Sequence, residues 1–243
     1  LVGILLCNTF GNGSEDVDGW ETFAADRDLP LIIDSAAGFG SVYPDGTSVG
    51  TRGDCEIFSF HATQAFAIGE GGAVATRDTG VAESLRSFSN FGFEGADGSV
   101  RAGLNGKLQE INAAIGLRQL LTIDDVVRER RQVLGRYADI FADADSGRIV
   151  RNAENSSVCF APVLLNDSIT RDPLLDGLRD SGIEARVYYG PPVHRHPTFK
   201  RDLRVGRLES TEVVSTRILC LPVFQGMAET VFQRVEALVD EHC

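Results

Sequence analysis

Residues 55–72 read CEIFSFHATQAFAIGEGG, an apolar run followed by a polar turn and a glycine cluster. The apolar run 55–60 predicts a strand buried in an α/β sheet. Ligands bind where such strands end, because backbone N–H groups become free there and polar side chains can follow. Ser59 and Gln64 stand at that end, and the glycines allow a tight turn beside a bound molecule. The stretch therefore predicts an α/β fold with a ligand site after this strand.

A second buried strand ends in a carboxylate. Residues 29–37 read LPLIIDSAA, so Asp34 follows an apolar run and precedes small residues. A carboxylate in that position needs a partner, because burying an unpaired charge is costly. Further short strands are predicted at 1–9 and 72–76, with a helix at 16–26. This alternation predicts a parallel or mixed sheet.

The second half of the chain has a different character. Two helical runs, 108–121 and 123–141, predict a long amphipathic connector. A smaller α/β domain is expected after it, so we predict a large domain over residues 1–122 and a connector helix with a small C-terminal domain over 123–243. The elements predicted there are strands at 157–165 and 184–189 and helices at 173–181, 211–218 and 229–242.

Composition limits the classes of function. The 243 residues carry 23 Lys and Arg against 35 Asp and Glu, a net charge of -12. This charge argues against a nucleic-acid partner or an anionic membrane surface. The five cysteines form no C-x-x-C pair, so we predict buried thiols and no metal site. No apolar run approaches the roughly 20 residues of a membrane span, and no basic segment followed by an apolar one marks an export signal in these residues. A cytoplasmic protein is expected.

Four motifs resemble the DegT family of sugar aminotransferases, which are pyridoxal phosphate (PLP) enzymes of fold type I. The cofactor-lysine segment of that family, S-F-H-x-T-K followed by a spacer and E-G-G, is similar to residues 59–72, with Gln64 at the lysine position. Residues 103–116 match G-x-N-x-[RK]-x-x-E-x-x-A-A-x-G, residues 189–194 match Y-x-x-P-x-H, and residues 217–222 match R-x-L-x-L-P. The motifs occur in the order of the family.

The resemblance implies roles for four residues, and each role has a plainer alternative. Asp34 would pair with the pyridine nitrogen of the cofactor, or merely cap its strand. Ser59 would bind the cofactor phosphate, or be a satisfied core serine. Asn105 would reach the phosphate from the other subunit of a dimer, or form a turn beside Gly106. His194 would face the substrate from the small domain, or be structural.

The chain departs from the family pattern at the cofactor. The carboxamide of Gln64 can neither bond covalently to the cofactor aldehyde nor move protons, as the lysine does. Ala37 stands where the family has Gln or His near the ring hydroxyl, and a methyl group cannot make that hydrogen bond. A preceding segment, whose helix N-terminus holds the phosphate, is missing from these residues. We therefore expect an incomplete type I large domain, with the missing half-site supplied by another polypeptide or lacking altogether.

The resemblance implies a PLP-dependent aminotransferase that acts on a nucleotide-linked keto-deoxy sugar, with an amino donor such as glutamate, as a homodimer. With Gln64, this chain is expected to be inactive and to hold PLP or its amine form, pyridoxamine phosphate (PMP), without a covalent bond if it binds either. Three alternatives stay open: a lysine-independent sugar dehydratase, a non-catalytic binding or partner protein, and a fragment of a longer parent. Gln64 argues against the dehydratase, because an amide cannot act as a proton-transfer base.

Overall fold

The structure is a computed structural model that describes residues 1–95, 98–150, 153–199 and 206–243. The chain forms two compact units. The N-terminal unit comprises Leu1–Val127 and Asn155–Cys159, and the C-terminal unit comprises Arg128–Glu154 and Phe160–Cys243. Within the described part of the chain, no helix is both long and apolar enough to cross a membrane.

The N-terminal unit is built on a four-stranded sheet in the order β1-β2-β3-β4. Its strands are β1 Ile4–Cys7, β2 Leu31–Asp34, β3 Cys55–Ser59 and β4 Gly72–Ala75. The first three strands are parallel, and β4 runs antiparallel to β3. The prediction of a mixed, mainly parallel α/β sheet is confirmed.

The two faces of this sheet differ in burial, because side chains alternate along each strand. Leu31, Ile33 and Phe58 are buried and pack in a core that includes Val17 and Ala24 of helix α1 (Val17–Ala25). The opposite face, called here the open face, is apolar but partly exposed. Its exposed members are Leu5 (70%), Ile32 (36%), Ile57 (38%) and Val74 (39%). By the same alternation, Asp34 and Ser59 end their strands on the open face.

A buried polar network lies on the other side of the sheet, around Glu56, whose side chain is 0% exposed. Glu56 Oε1 accepts hydrogen bonds from Ser35 Oγ at 3.0 Å and Tyr43 Oη at 2.5 Å, and its second oxygen accepts from the Gly50 N–H. Asn8 Nδ2 donates to Ser35 Oγ at 2.8 Å and to Tyr43 Oη at 3.1 Å. The network ties the ends of β1 and β2 to β3, and so fixes the strand end that carries Asp34.

Three helices follow the sheet, namely α2 Thr79–Ser89, α3 Glu110–Gln119 and α4 Ile123–Asp143. Asp78 caps α2 by accepting the Val81 N–H at 3.0 Å. The predicted connector is interrupted, because residues 120–122 form a turn between α3 and α4. Much of the apolar surface of α3 stays exposed.

The C-terminal unit contains an antiparallel sheet in the order β5-β6-β7, with strands Gly147–Ile149, Phe160–Leu165 and Ile218–Pro222. Its helices are α5 Arg171–Asp180, α6 Glu209–Arg217 and α7 Glu229–His242. The predicted helix at 229–242 is confirmed with the same bounds.

One prediction for this unit is wrong, and one helix boundary differs by a residue. Residues 184–189 form no strand: Arg186 exchanges N–H and C=O hydrogen bonds with Cys220 at 2.9 and 2.8 Å, an isolated bridge that no ladder extends. The helix predicted to end at Ile218 ends at Arg217, because Ile218 begins β7. The apolar run that forms β7 follows the helix directly, so no turn residue marks the change.

Candidate functional site

Asp34 is the last residue of β2 and is half-buried. Its Oδ1 accepts the Ala36 N–H at 3.0 Å, which fixes the carboxylate at the strand end. Among the described residues, none donates a hydrogen bond to its second oxygen. One carboxylate oxygen is therefore held, and the other can accept from an N–H donor.

Ser59 ends the neighbouring strand β3 and is also half-buried. Its N–H donates to the Ala36 carbonyl at 3.1 Å, and its Oγ accepts the His61 N–H at 3.2 Å. The hydroxyl proton therefore stays available to an anionic acceptor. Asp34 lies level with Ile57 in the register, so strand spacing and rise put the Asp34 and Ser59 Cα atoms about 8 Å apart.

Ala37 lies beside this pair and is half-buried. Its carbonyl accepts the Ser157 hydroxyl at 2.9 Å. A Cβ at Gly11, whose φ is +82°, would lie 2.3 Å from that carbonyl oxygen, so the close approach requires glycine there. The backbone of Ala37 is thus held firmly, while its methyl group offers no hydrogen bond.

The turn after β3 holds Gln64. The Gln64 N–H donates to the His61 carbonyl at 2.9 Å, His61 Nδ1 and Thr63 Oγ1 share a hydrogen bond of 2.9 Å, and Cys159 Sγ donates to the Thr63 carbonyl at 3.2 Å. Local bonds therefore fix the turn.

The side chain of Gln64 is less well satisfied than its backbone. The residue is half-buried, yet its Oε1 atom is buried and accepts no hydrogen bond from the described residues. A buried acceptor without a donor costs about 1–3 kcal/mol, and folded proteins contain few of them. Because the protein itself covers this oxygen, it is an unsatisfied acceptor within the turn and not a group that faces a bound molecule.

Two amides of α3 hold the segment between this turn and β4. Asn112 Nδ2 donates to the Glu70 carbonyl at 2.6 Å, and Gln119 Nε2 donates to the Ala67 carbonyl at 3.5 Å. Sequence reasoning did not identify these two residues. Their polar side chains on an apolar-striped helix were the available signal.

Asn105 lies in a surface hairpin and forms an isolated bridge with Asn90. Its Oδ1 accepts from Lys107 Nζ at 2.6 Å, and that ammonium group lies 4.1 Å from the centroid of the Phe91 ring. Among the described residues, no hydrogen bond joins Asn105 to Asp34 or Ser59. The structure therefore brings Asp34, Ala37 and Ser59 together and leaves Asn105 on the surface.

His194 lies in the C-terminal unit, in a short helical turn before α6. Its Nε2 lies 2.5 Å from Glu212 Oε1, which also accepts from Arg195 Nε at 2.9 Å. These hydrogen bonds, first from His194 and then from Arg195, hold the pKa of Glu212 below its ordinary value. A cavity of about 420 Å³ lies beside the pair, lined by His194, Gly206, Leu208, Glu209, Glu212 and Val213. Glu212 thus orients the imidazole at the wall of a cavity.

The arrangement at the ends of β2 and β3 agrees with a match to a known family. The model of the DegT/DnrJ/EryC1/StrS aminotransferase family matches residues 2–240, nearly the whole chain. The chain belongs to this family.

Three members or neighbours of the DegT family are informative. Protein Rv3402c of Mycobacterium tuberculosis is 47% identical over 246 residues, covering 99% of this chain and 59% of that protein. The dTDP-4-amino-4,6-dideoxy-D-glucose transaminase of Shigella dysenteriae is 29% identical, covering 98% and 65%. The solved structure of a protein from Bacillus cereus ATCC 10987, assigned as a PLP-dependent aminotransferase, has a TM-score of 0.88 at 26% identity and covers 98% and 64%.

Each comparison matches nearly all of this chain to only part of the other protein. This DegT-family chain spans 59% of the length of Rv3402c and 65% of the Shigella enzyme. It covers 64% of the Bacillus structure. The fold of the chain is therefore that of PLP-dependent aminotransferases, over the part that it shares with them.

Proposed function

We propose that this protein binds PLP or PMP non-covalently at the ends of β2 and β3. In this proposal it serves amino-sugar biosynthesis, in which the substrate is a nucleotide-linked keto-deoxy sugar, but it does not itself transaminate. The carrying observation is that Asp34 and Ser59 each keep one hydrogen-bonding group available, while Gln64 stands at the lysine position of the motif. The groups that would bind the cofactor are therefore present, whereas the nucleophilic lysine is replaced by glutamine.

Each residue of the proposed site would do one task. When bound, the cofactor ring accepts electrons from the substrate carbon next to the reacting nitrogen. The available oxygen of Asp34 would keep a proton on the ring nitrogen, because an adjacent carboxylate favours the charged form of that group. The Ser59 hydroxyl would donate to the phosphate. Ala37 would contribute contact but no hydrogen bond to the ring hydroxyl.

Gln64 limits the chemistry that this site can perform. An amide has no basic lone pair near neutral pH, so Gln64 cannot take a proton from the substrate or return one. Among the described residues, the fixed turn around Gln64 brings no lysine to this position. We therefore expect ligand binding without turnover from this chain.

We assign His194 to the substrate side as part of the same proposal. Its support is the hydrogen bond to Glu212, which orients the ring at the wall of the adjoining cavity. A histidine held in this way can donate to a phosphate or hydroxyl oxygen of a nucleotide-linked sugar. An amino donor such as glutamate belongs to the complete aminotransferase reaction, for which this chain lacks the nucleophile.

A homodimer in the cytoplasm is also part of the proposal. The apolar residues on and after α3 are strongly exposed: Ile111 (67%), Ile115 (42%), Leu117 (70%) and Leu121 (74%). An exposed apolar patch of this kind is typical of a protein interface. A second copy related by two-fold symmetry would cover the same helix on both chains. Asn105 could then reach the site of the partner subunit.

Borohydride reduction tests the non-covalent site. The sequence has two lysines, Lys107 and Lys200, and Lys200 lies outside the described residues. Equilibrium dialysis should show saturable binding of PLP, and reduction followed by mass mapping should show no specific modification of either lysine. The matched variants Asp34→Asn and Asp26→Asn separate the site from general charge, and only Asp34→Asn should weaken binding.

Two results would contradict the proposal, and a third would favour an alternative. Specific reduction onto Lys107 or Lys200 would contradict the non-covalent site, and an absence of any saturable binding would contradict the cofactor site itself. Turnover of a nucleotide-linked keto-sugar with PMP would instead favour the dehydratase alternative.

A further inference from the structure

One short segment of the chain, residues 155–159, is bonded to the loops at the carboxyl ends of the three parallel strands. It follows α4 and β5 in the sequence, yet it packs within the N-terminal unit. Three of its side chains are buried, and each donates to a backbone carbonyl of a different loop. The bonds run from Ser156 Oγ to Phe10 at 3.0 Å, from Ser157 Oγ to Ala37 at 2.9 Å, and from Cys159 Sγ to Thr63 at 3.2 Å. This clasp segment therefore ties together the loops that follow β1, β2 and β3.

The backbone of the clasp segment is held in one conformation. Val158 is 2% exposed and has a φ of +56°, a left-handed conformation that a β-branched residue rarely adopts. Ser156 Oγ accepts the Val158 N–H at 2.9 Å, and the Ser157 N–H donates to Ser41 Oγ at 2.8 Å. Strain of this kind persists only where the surroundings fix the chain, and it is concentrated at ligand clamps and active sites. The segment is therefore a rigid support for the loops that it bonds.

We propose that Ser157 and Cys159 are positioning residues of the cofactor site at the ends of β2 and β3. This inference rests on the proposed cofactor function. Ser157 holds the loop three residues after Asp34, and Cys159 holds the turn beside Gln64. Each side chain acts through the carbonyl that it bonds, and not by touching the cofactor. Together they fix the loop after Asp34 relative to the turn after β3.

Holding these loops in place before the ligand arrives raises affinity, because the bound ligand then need not order them. A direct link between the two loops is the hydrogen bond from the Ser59 N–H to the Ala36 carbonyl at 3.1 Å. The bonds of the clasp segment lie farther along each loop, at Ala37 and Thr63. Without them, each loop can pivot about its strand end, and the cofactor binds only the fraction of molecules with the correct arrangement.

Equilibrium dialysis of PLP with the full chain measures this effect as a dissociation constant. Ser157→Ala and Cys159→Ala each remove one bond, and we expect binding to weaken about two- to ten-fold, the size of one hydrogen bond. The thiol is the weaker donor, so Cys159→Ala should have the smaller effect, and Cys159→Ser should recover most of the affinity. The matched control is Thr76→Val, which removes a hydroxyl that donates to the Asp54 carbonyl at 2.7 Å, at the opposite end of the sheet. It should leave the dissociation constant unchanged.

Hydrogen exchange of the ligand-free protein gives a second readout that does not depend on binding. The N–H groups of Gly38 and Gln64 donate to backbone carbonyls within the two loops, at 2.7 and 2.9 Å. Ser157→Ala should speed exchange at Gly38, and Cys159→Ala should speed it at Gln64. A general loss of stability would instead speed exchange across the β2–β3 ladder as well.

The outcomes separate this inference from the proposed function. If wild type shows no saturable PLP binding, the proposed function fails and the inference fails with it. If wild type binds PLP but a folded variant binds as tightly, the positioning role of that residue alone is overturned. Faster exchange across the whole ladder, or equal weakening by Thr76→Val, also overturns the inference, because the bonds then have only a structural role. If Ser157→Ala gives no cooperative thermal transition, Cys159→Ala and the recovery in Cys159→Ser decide the matter.

Discussion

The Glu56 network predicts a measurable cost for removing one oxygen atom. Tyr43→Phe deletes the hydroxyl that donates to Glu56 Oε1 at 2.5 Å and accepts from Asn8 Nδ2 at 3.1 Å. The ring of Tyr43 is 0% exposed, and phenylalanine fills the same volume. Hydrogen bonds to charged groups contribute about 1.5–3 kcal/mol, so we expect a loss in that range. Asn8 keeps its bond to Ser35, which puts the loss nearer the lower end.

Urea unfolding followed by tryptophan fluorescence reports this loss for the N-terminal unit, which contains the Glu56 network. Trp20 is the single tryptophan of the chain and lies in α1 of the N-terminal unit. With a slope of about 1–3 kcal/mol per molar urea, the transition midpoint should fall by about 1 M. The control is Thr47→Val, which removes a hydroxyl bonded to Asp45 at 2.7 Å on the exposed surface.

Burial is what separates these two hydroxyl groups. Because solvent replaces the bond of Thr47, we expect its removal to leave the midpoint unchanged. A Tyr43→Phe midpoint equal to wild type, or a Thr47→Val shift of the same size, would refute the claim that the buried network stabilises the strand ends.

Four further outcomes are expected. Gln64→Lys should give a borohydride-reducible PLP adduct that absorbs in the visible; tight PLP binding without it would count against the assignment of position 64. Burial raises the pKa of the Tyr43 and Tyr137 phenols, and for Tyr43 the hydrogen bond to Glu56 is a second cause. Both phenols should therefore stay protonated in an absorbance titration at pH values where exposed tyrosines ionise. The unfolded chain releases those protons above about pH 10, so the free energy of unfolding should fall from that pH upward; complete tyrosine ionisation while the fold persists would contradict this. Because the pKa of Glu212 is lowered in the folded protein, its contribution to the free energy of unfolding is present above the ordinary pKa of 4.5 and is lost as the pH falls through the folded pKa. Glu212→Gln should therefore make the free energy of unfolding depend less on pH at the acid end. Light scattering over a dilution series should show a dimer, weakened by Ile115→Asp; a monomer at every concentration would argue against the α3 interface.

The sequence predicts the parts of the fold that depend on local pattern. The strands that carry Asp34 and Ser59 are short apolar runs with polar ends, so their positions follow from alternation and turn residues. The helix at 229–242 has regular apolar spacing and was predicted with its observed bounds. The same pattern could not identify β7, because its apolar residues continue directly from a helix, or show that residues 184–189 lack a ladder partner.

From the sequence, only the types of residue in the site could be predicted, and not their arrangement. Asp34 and Ser59 were found because both end apolar strands, and Ser59 also lies in the motif of residues 59–72. Glu56 was not found, because a carboxylate inside an apolar run gives no local signal of its four hydrogen-bond donors, which come from Ser35 and from the loop that contains Tyr43, Gly50 and Arg52. The orphan oxygen of Gln64 is likewise a property of packing: the sequence supplies a carboxamide, and only the fold decides that its oxygen is shielded from water.

The open face of the N-terminal sheet links two equilibria. Leu5, Ile32 and Ile57 lie on it, partly exposed, and Asp34 ends the same face. A polypeptide layer that covered those apolar side chains would also exclude water from the carboxylate, and a lower local dielectric strengthens an ion pair between Asp34 and a protonated ring. Covering the sheet and holding the cofactor would then share a coupling free energy, which acts equally in both directions. In such a protein, adding cofactor would tighten the sheet's association with its cover by the same factor that the cover adds to cofactor affinity.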